Sequence, residues 1–178
     1  MVAYWSCVTL LLTSDFLFQR AKNVGDPPVS LADDSRHMGV EFQRFTNLSV
    51  DFWRNCSDFG EPDLLLRFTG PGVCSLIVLI EVKLDSTKSG VREDDQLKKY
   101  LSLLDDRAAL REWMSDDDLR YVVYLTRSFA KVELQESIAA SGKLDAERRM
   151  LVWTGEMCWR LLSESRMEER CSGKSQSS

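Results

Sequence analysis

The sequence holds a single histidine, His37, and its five cysteines, Cys7, Cys56, Cys74, Cys158 and Cys171, include no Cys-x-x-Cys pair. Zinc and thiol redox chemistry of the kind such pairs support has no foundation here, and an odd number of widely spaced cysteines reads as free thiols in a reducing compartment. No long apolar run is present either. The stretch from Val8 to Leu12 has no basic leader and stops at Thr13, Ser14 and Asp15, so neither a signal peptide nor a membrane span is expected, and an intracellular, cytoplasmic protein is. Positive charge is in deficit: 23 Lys and Arg against 28 Asp and Glu leave a formal net charge of −5. A broad basic face that grips duplex DNA by neutralising phosphates is therefore excluded, and any nucleic-acid contact must be local, metal-bridged or assisted by a partner.

What is present suffices for one domain. A length of 178 residues with 44% apolar side chains can build a real core, expected over residues 1–165. The charged and then Ser-rich tail, 166–178, is expected to be disordered in part.

Trp5, Val8, Leu12 and Phe16 recur at helical steps, so the first twenty residues read as an amphipathic helix lying on the core. Gly25, Pro27 and Pro28 among acidic and hydroxyl residues make 23–36 a loop. Between Val40 and Trp53 the alternation of Val40, Phe42, Leu48, Val50 and Phe52 fits a half-buried strand pair or a strand after a bend. Leu64 to Leu66, the turn Gly70-Pro71-Gly72, and the unbroken run Leu76 to Ile80 read as strand, hairpin and central strand. Leu97, Leu101, Leu104 and Ala108 then mark a helix with an acidic start at Glu93, Asp94 and Asp95. Tyr121 to Leu125 and Met150 to Trp153 are further strands, and Thr154 can cap a helix carrying Met157, Cys158, Leu161 and Leu162. The fold class is α/β, a mixed central sheet flanked by helices.

Chemistry gathers where the central strand ends. Residues two apart on a strand share a face, so Glu81 and Lys83 project together while Val82 faces the other way. Asp63 opens the preceding strand, and hairpin pairing brings its carboxylate beside Glu81. Two carboxylates and the Val82 backbone carbonyl form an oxygen set that suits Mg²⁺, with Mn²⁺ as a substitute. Such a metal polarises a phosphodiester and acidifies bound water, while Lys83 can orient or deprotonate that water.

Pro62-Asp63 followed by Glu81-Val82-Lys83 after an apolar strand resembles the signature of the PD-(D/E)XK nuclease superfamily, and Gln96 with Tyr100 resembles the Gln-x-x-x-Tyr element of its RecB-type members. The resemblance spans roughly residues 60–104. It implies a restriction-endonuclease-like core, catalytic roles for Asp63, Glu81 and Lys83, metal ligation by Asp63 and Glu81, and a substrate-side position for Gln96 and Tyr100. It also makes Glu41 a further candidate ligand, with His37 four residues earlier. The implied activity is Mg²⁺-dependent hydrolysis of phosphodiester bonds, with DNA as partner, by a homodimer or a subunit of a larger complex.

Plainer roles compete for the same residues. Glu81 and Lys83 also suit a surface ion pair, and Gln96 and Tyr100 the rim of a packed helix. The bases Lys88, Arg92, Lys98 and Lys99 are offset by Asp85, Glu93, Asp94 and Asp95, and read as a mixed, solvated face. Trp113, Trp153 and Trp159 read as core or interface residues. The alternative to an enzyme is a catalytically silent scaffold or binding module of the same fold.

Overall fold

Leu76 to Ile80 are completely buried, and this follows from their place in the middle of a five-stranded sheet with helices on both faces. The structure is a computed structural model and describes residues 16–83, 95–126 and 131–154. In chain order these contain helices α1 (Phe16–Arg20) and α2 (Leu31–His37), strands β1 (Asn47–Phe52), β2 (Leu64–Thr69) and β3 (Leu76–Lys83), and helix α3 (Gln96–Leu103). Strand β4 (Leu119–Thr126), helices α4 (Lys131–Ser141) and α5 (Ala146–Arg149) and strand β5 (Met150–Thr154) follow. The sheet order is β1-β2-β3-β4-β5: the first two pairings are antiparallel, and β3-β4 and β4-β5 are parallel. A hairpin can join the antiparallel strands, whereas each parallel step needs a crossover; α3 lies between β3 and β4 in the chain, and α4 with α5 between β4 and β5.

The period of two along β3 divides the core. Leu76, Val78 and Ile80 pack with Leu17, Phe18, Ala21, Leu31 and Ala32 of the α1–α2 side. Ile77 and Leu79 face Leu97, Tyr100, Leu101 and Leu134 of α3 and α4. Between β2 and β3 the turn needs Gly70, because a Cβ there would lie 2.1 Å from the Arg44 carbonyl oxygen. The outer edge of β5 is closed by Lys22, whose amide donates to the Val152 carbonyl at 2.9 Å and whose carbonyl accepts the Val152 amide at 2.7 Å.

Two expectations need correction. Within 23–36, residues from Leu31 onward are helical rather than loop: the Ser30 hydroxyl accepts the Asp33 amide at 3.1 Å, and Leu31 and Ala32 are buried. Phe42 sits in a short 3-10 turn, Phe42–Arg44, so the bend-then-strand alternative describes Val40 to Trp53. Helix α4 went unanticipated because it buries only Leu134 and Ser137, too few positions for a periodic signal. The acidic start of α3 is confirmed in part: Asp95 caps it, accepting the Leu97 and Lys98 amides at 3.1 and 3.3 Å, while Ala108 lies beyond its end.

Residues 1–15, most of the expected N-terminal helix, lie outside the described residues, as do Lys88, Arg92, Trp159, the helix expected after Thr154 and the tail. Trp153 is buried in the core, and Trp113 packs at its margin with the Arg54 guanidinium 5.8 Å from its ring centroid. Cys56 and Cys74 are free thiols. Among the described residues, no helix is long and apolar enough to cross a membrane.

Truncation in the middle of this sheet should be costly. Leu79→Ala is expected to destabilise the fold by about 3 kcal/mol, whereas Val132→Ala, two-thirds exposed on α4, should change it by under about 0.5 kcal/mol, as read from urea denaturation.

Candidate functional site

β2 and β3 pair from Phe68 opposite Leu76 to Leu64 opposite Ile80, and one more step in this register sets Asp63 opposite Glu81. There β2 has ended, and the Asp63 carboxylate replaces its backbone: Oδ2 accepts the Val82 amide at 2.8 Å. A residue's N–H and C=O leave a strand along the same edge, so the Val82 carbonyl also faces the Asp63 side. Asp63 is half-buried, and its own carbonyl accepts the Trp53 amide at 3.3 Å.

Glu81 lies on the α3 face of β3 and is only 3% exposed. Both of its oxygens are engaged. Oε1 meets the Lys83 ammonium at 2.9 Å, and Oε2 accepts the Tyr100 hydroxyl at 3.2 Å. The Gln96 amide in turn donates to the Tyr100 hydroxyl at 2.5 Å, so Gln96, Tyr100 and Glu81 form a chain from helix to strand. Tyr100 is fully buried and Gln96 half-buried. In this geometry the two residues expected on the substrate side position the carboxylate.

Burial pushes the Glu81 carboxyl above the usual carboxylate range, and the nearby Asp63 charge adds to that push; the Lys83 and Tyr100 hydrogen bonds oppose it without cancelling it. Burial, and then the Glu81 charge, also hold the Tyr100 hydroxyl protonated, fixing it as a donor to Glu81. Glu81 is therefore an electrostatically costly buried acid beside a half-buried one, partly compensated by one ammonium.

The structure brings Asp63, Glu81, Val82, Lys83, Gln96 and Tyr100 together. It does not bring in Glu41 or His37. Both are exposed, His37 ends the helix that covers the opposite sheet face, and among the described residues no group of three or more carboxylate, imidazole or thiol side chains gathers as a metal site. Among the described residues, two acidic side chains and the Val82 backbone carbonyl are the oxygen donors that meet there.

Two residues that sequence reasoning passed over border the site. Tyr124 is paired with Glu81 across the parallel β3-β4 register and lies in the same core face; its hydroxyl donates to Glu133 of α4 at 3.1 Å. No short-range signal gives a register between parallel strands joined by a crossover. The Ser137 hydroxyl bonds the buried Asp95 carboxylate at 2.8 Å, tying α4 to the cap of α3. No protein-family model, curated protein or solved structure matches the chain.

A carboxyl whose value is raised by folding favours the protonated folded state. Its stabilising contribution is full below the ordinary value of 4.5 and is lost as pH climbs through the raised value. In metal-free buffer the melting temperature of the wild type should therefore fall, relative to Glu81→Gln, as pH rises from about 4.5 to neutrality. Parallel melting curves across that window would contradict the burial argument.

Proposed function

We propose that this chain is a PD-(D/E)XK-type nuclease with a restriction-endonuclease-like core, hydrolysing phosphodiester bonds in DNA with the help of Mg²⁺. The observation that carries the reading is the meeting of Asp63, Glu81 and Lys83 where β2 stops and β3 runs on, with Gln96 and Tyr100 holding Glu81 from the next helix. The sheet order supports it: an antiparallel hairpin bears the acids, and parallel strands follow on the other side.

The donor set fits the metal. Asp63, Glu81 and the Val82 carbonyl are hard oxygen donors of the kind Mg²⁺ takes, and they are the groups that would hold it. The raised carboxyl of Glu81 gives a cation a physical reason to bind, since it would offset charge that burial penalises. When bound, Mg²⁺ would supply Lewis-acid activation of phosphate and water. The protein's own groups do the rest. The Val82 amide pins Asp63 through Oδ2, the carboxylate would be one ligand, and Tyr100 fixes the direction of Glu81. Lys83, whose ammonium lies 2.9 Å from Glu81 Oε1, is the group that would orient the attacking water and counter negative charge developing on the phosphate.

One observation favours the competing reading of a catalytically silent scaffold: among the described residues, no third acidic side chain joins the pair. The two readings part on metal and turnover. Cleavage of labelled DNA should require Mg²⁺ or Mn²⁺ and fall at least about 100-fold in Lys83→Ala. Asp63→Asn should abolish the metal binding seen by calorimetry. Intact DNA and RNA with either metal, and no heat of binding at millimolar concentration, would leave the scaffold reading standing.

A further inference from the structure

Asp63, Leu65 and Arg67 alternate along β2 and its approach, so Arg67 shares the α3 face of the sheet with the acid of the site. Its guanidinium has no partner. Nε is shielded from solvent without a hydrogen bond, and among the described residues no carboxylate or carbonyl meets the rest of the group, although the residue is only half-buried. The other described arginines that are buried or half-buried, Arg54, Arg120, Arg148 and Arg149, each meet a carboxylate or a carbonyl within 3.3 Å. The β1-β2 register gives the reason. Asp51, opposite Leu65 and therefore diagonal to Arg67, is taken by Arg54 at 3.1 Å, so two guanidinium groups share one carboxylate. Directly across from Arg67 stands Ser49, exposed on the edge strand. A guanidinium partly withdrawn from water and left unpaired attracts an anion strongly, and with Nε shielded its outer edge, Nη1 and Nη2, is the fork it offers.

We infer that Arg67, with the Ser49 hydroxyl beside it, takes a backbone phosphate of a DNA strand whose scissile phosphate lies at Asp63 and Glu81. The inference rests on the nuclease reading and adds to it a second point of grip. Arg67 lies four residues from Asp63 along β2, about 13 Å at the rise of a strand. That is about four nucleotides at about 3.4 Å per phosphate. Leu65, between the two, is completely buried, so the two positions are separate on the surface and only a chain of phosphates reaches both. Charge points the same way. A chain of net charge −5 cannot hold a strand by neutralisation over a wide face, and an arginine whose neighbouring acid is already paired supplies positive charge at one place.

Fluorescence anisotropy of two fluorescein-labelled single strands tests this, over a series of salt concentrations and with Ca²⁺ in place of Mg²⁺. One has about 12 nucleotides, and the other is a dinucleotide, too short to span both positions. Arg67→Ala and Arg67→Gln should each weaken binding of the longer strand about tenfold and reduce the slope of log affinity against log salt by about 0.7, with dinucleotide binding unchanged. Arg67→Lys should keep the slope and lose part of the affinity, because an ammonium keeps the charge without the fork. The guanidinium bonds no described residue, so these substitutions leave no group without its partner and the fold is kept. Unchanged affinity for the longer strand in both neutral variants, or equal losses on the two strands, would overturn the inference. Inorganic phosphate bound by the wild type as tightly as the longer strand, and no longer bound by Arg67→Ala, would mark a site for free phosphate and overturn it too. Cleavage is scored separately in Mg²⁺: a chain that binds the longer strand through Arg67 and never cuts it refutes the nuclease reading and spares the phosphate contact.

Discussion

The hydrogen bond from the Val82 amide to the Asp63 carboxylate is the constraint on which the site depends. It exists because β2 stops one residue short of Glu81 and β3 does not, so an interior strand reaches beyond its neighbour with backbone groups to satisfy. A side-chain carboxylate at this place does two things together. It completes the ladder, and it fixes one acidic group beside another at a separation set by the spacing of strands. A neutral, hydrogen-bonded substitute such as asparagine could satisfy the backbone but would not present the second charge.

Around that bond the structure accumulates electrostatic cost. Glu81 sits among Leu79, Tyr100 and Tyr124 on a face built for apolar packing, with the Asp63 charge close by. Its Lys83 partner is 20% exposed, so solvent screens part of the attraction. A fold selected for stability alone would place a neutral or apolar side chain there. The proposed cation would relieve that cost by balancing the Glu81 charge.

Much of this was legible from residue order, for reasons that differ by element. β3 announced itself because five consecutive apolar residues bounded by a Gly-Pro-Gly turn have no good alternative to a central strand. α3 was legible from Asp95 and the leucine spacing, since a cap and a stripe report the same helix twice. The pairing of Glu81 with Lys83 followed from the two-residue period of a strand, and the approach of Asp63 from hairpin pairing, which is local. α2 was obscured because Pro27, Pro28 and Gly25 dominate its approach, although Ser30 and Asp33 carried the capping signal. Glu41 could not be placed by any local rule. Tyr124 owes its position to long-range register, which is not encoded in a short pattern.

The central claim is that Asp63, Glu81 and the Val82 carbonyl hold one divalent cation between them. Anomalous scattering from crystals soaked in Mn²⁺ tests it most directly. A single manganese peak within coordination distance of both carboxylates is the result expected. No peak there at saturating manganese would contradict it.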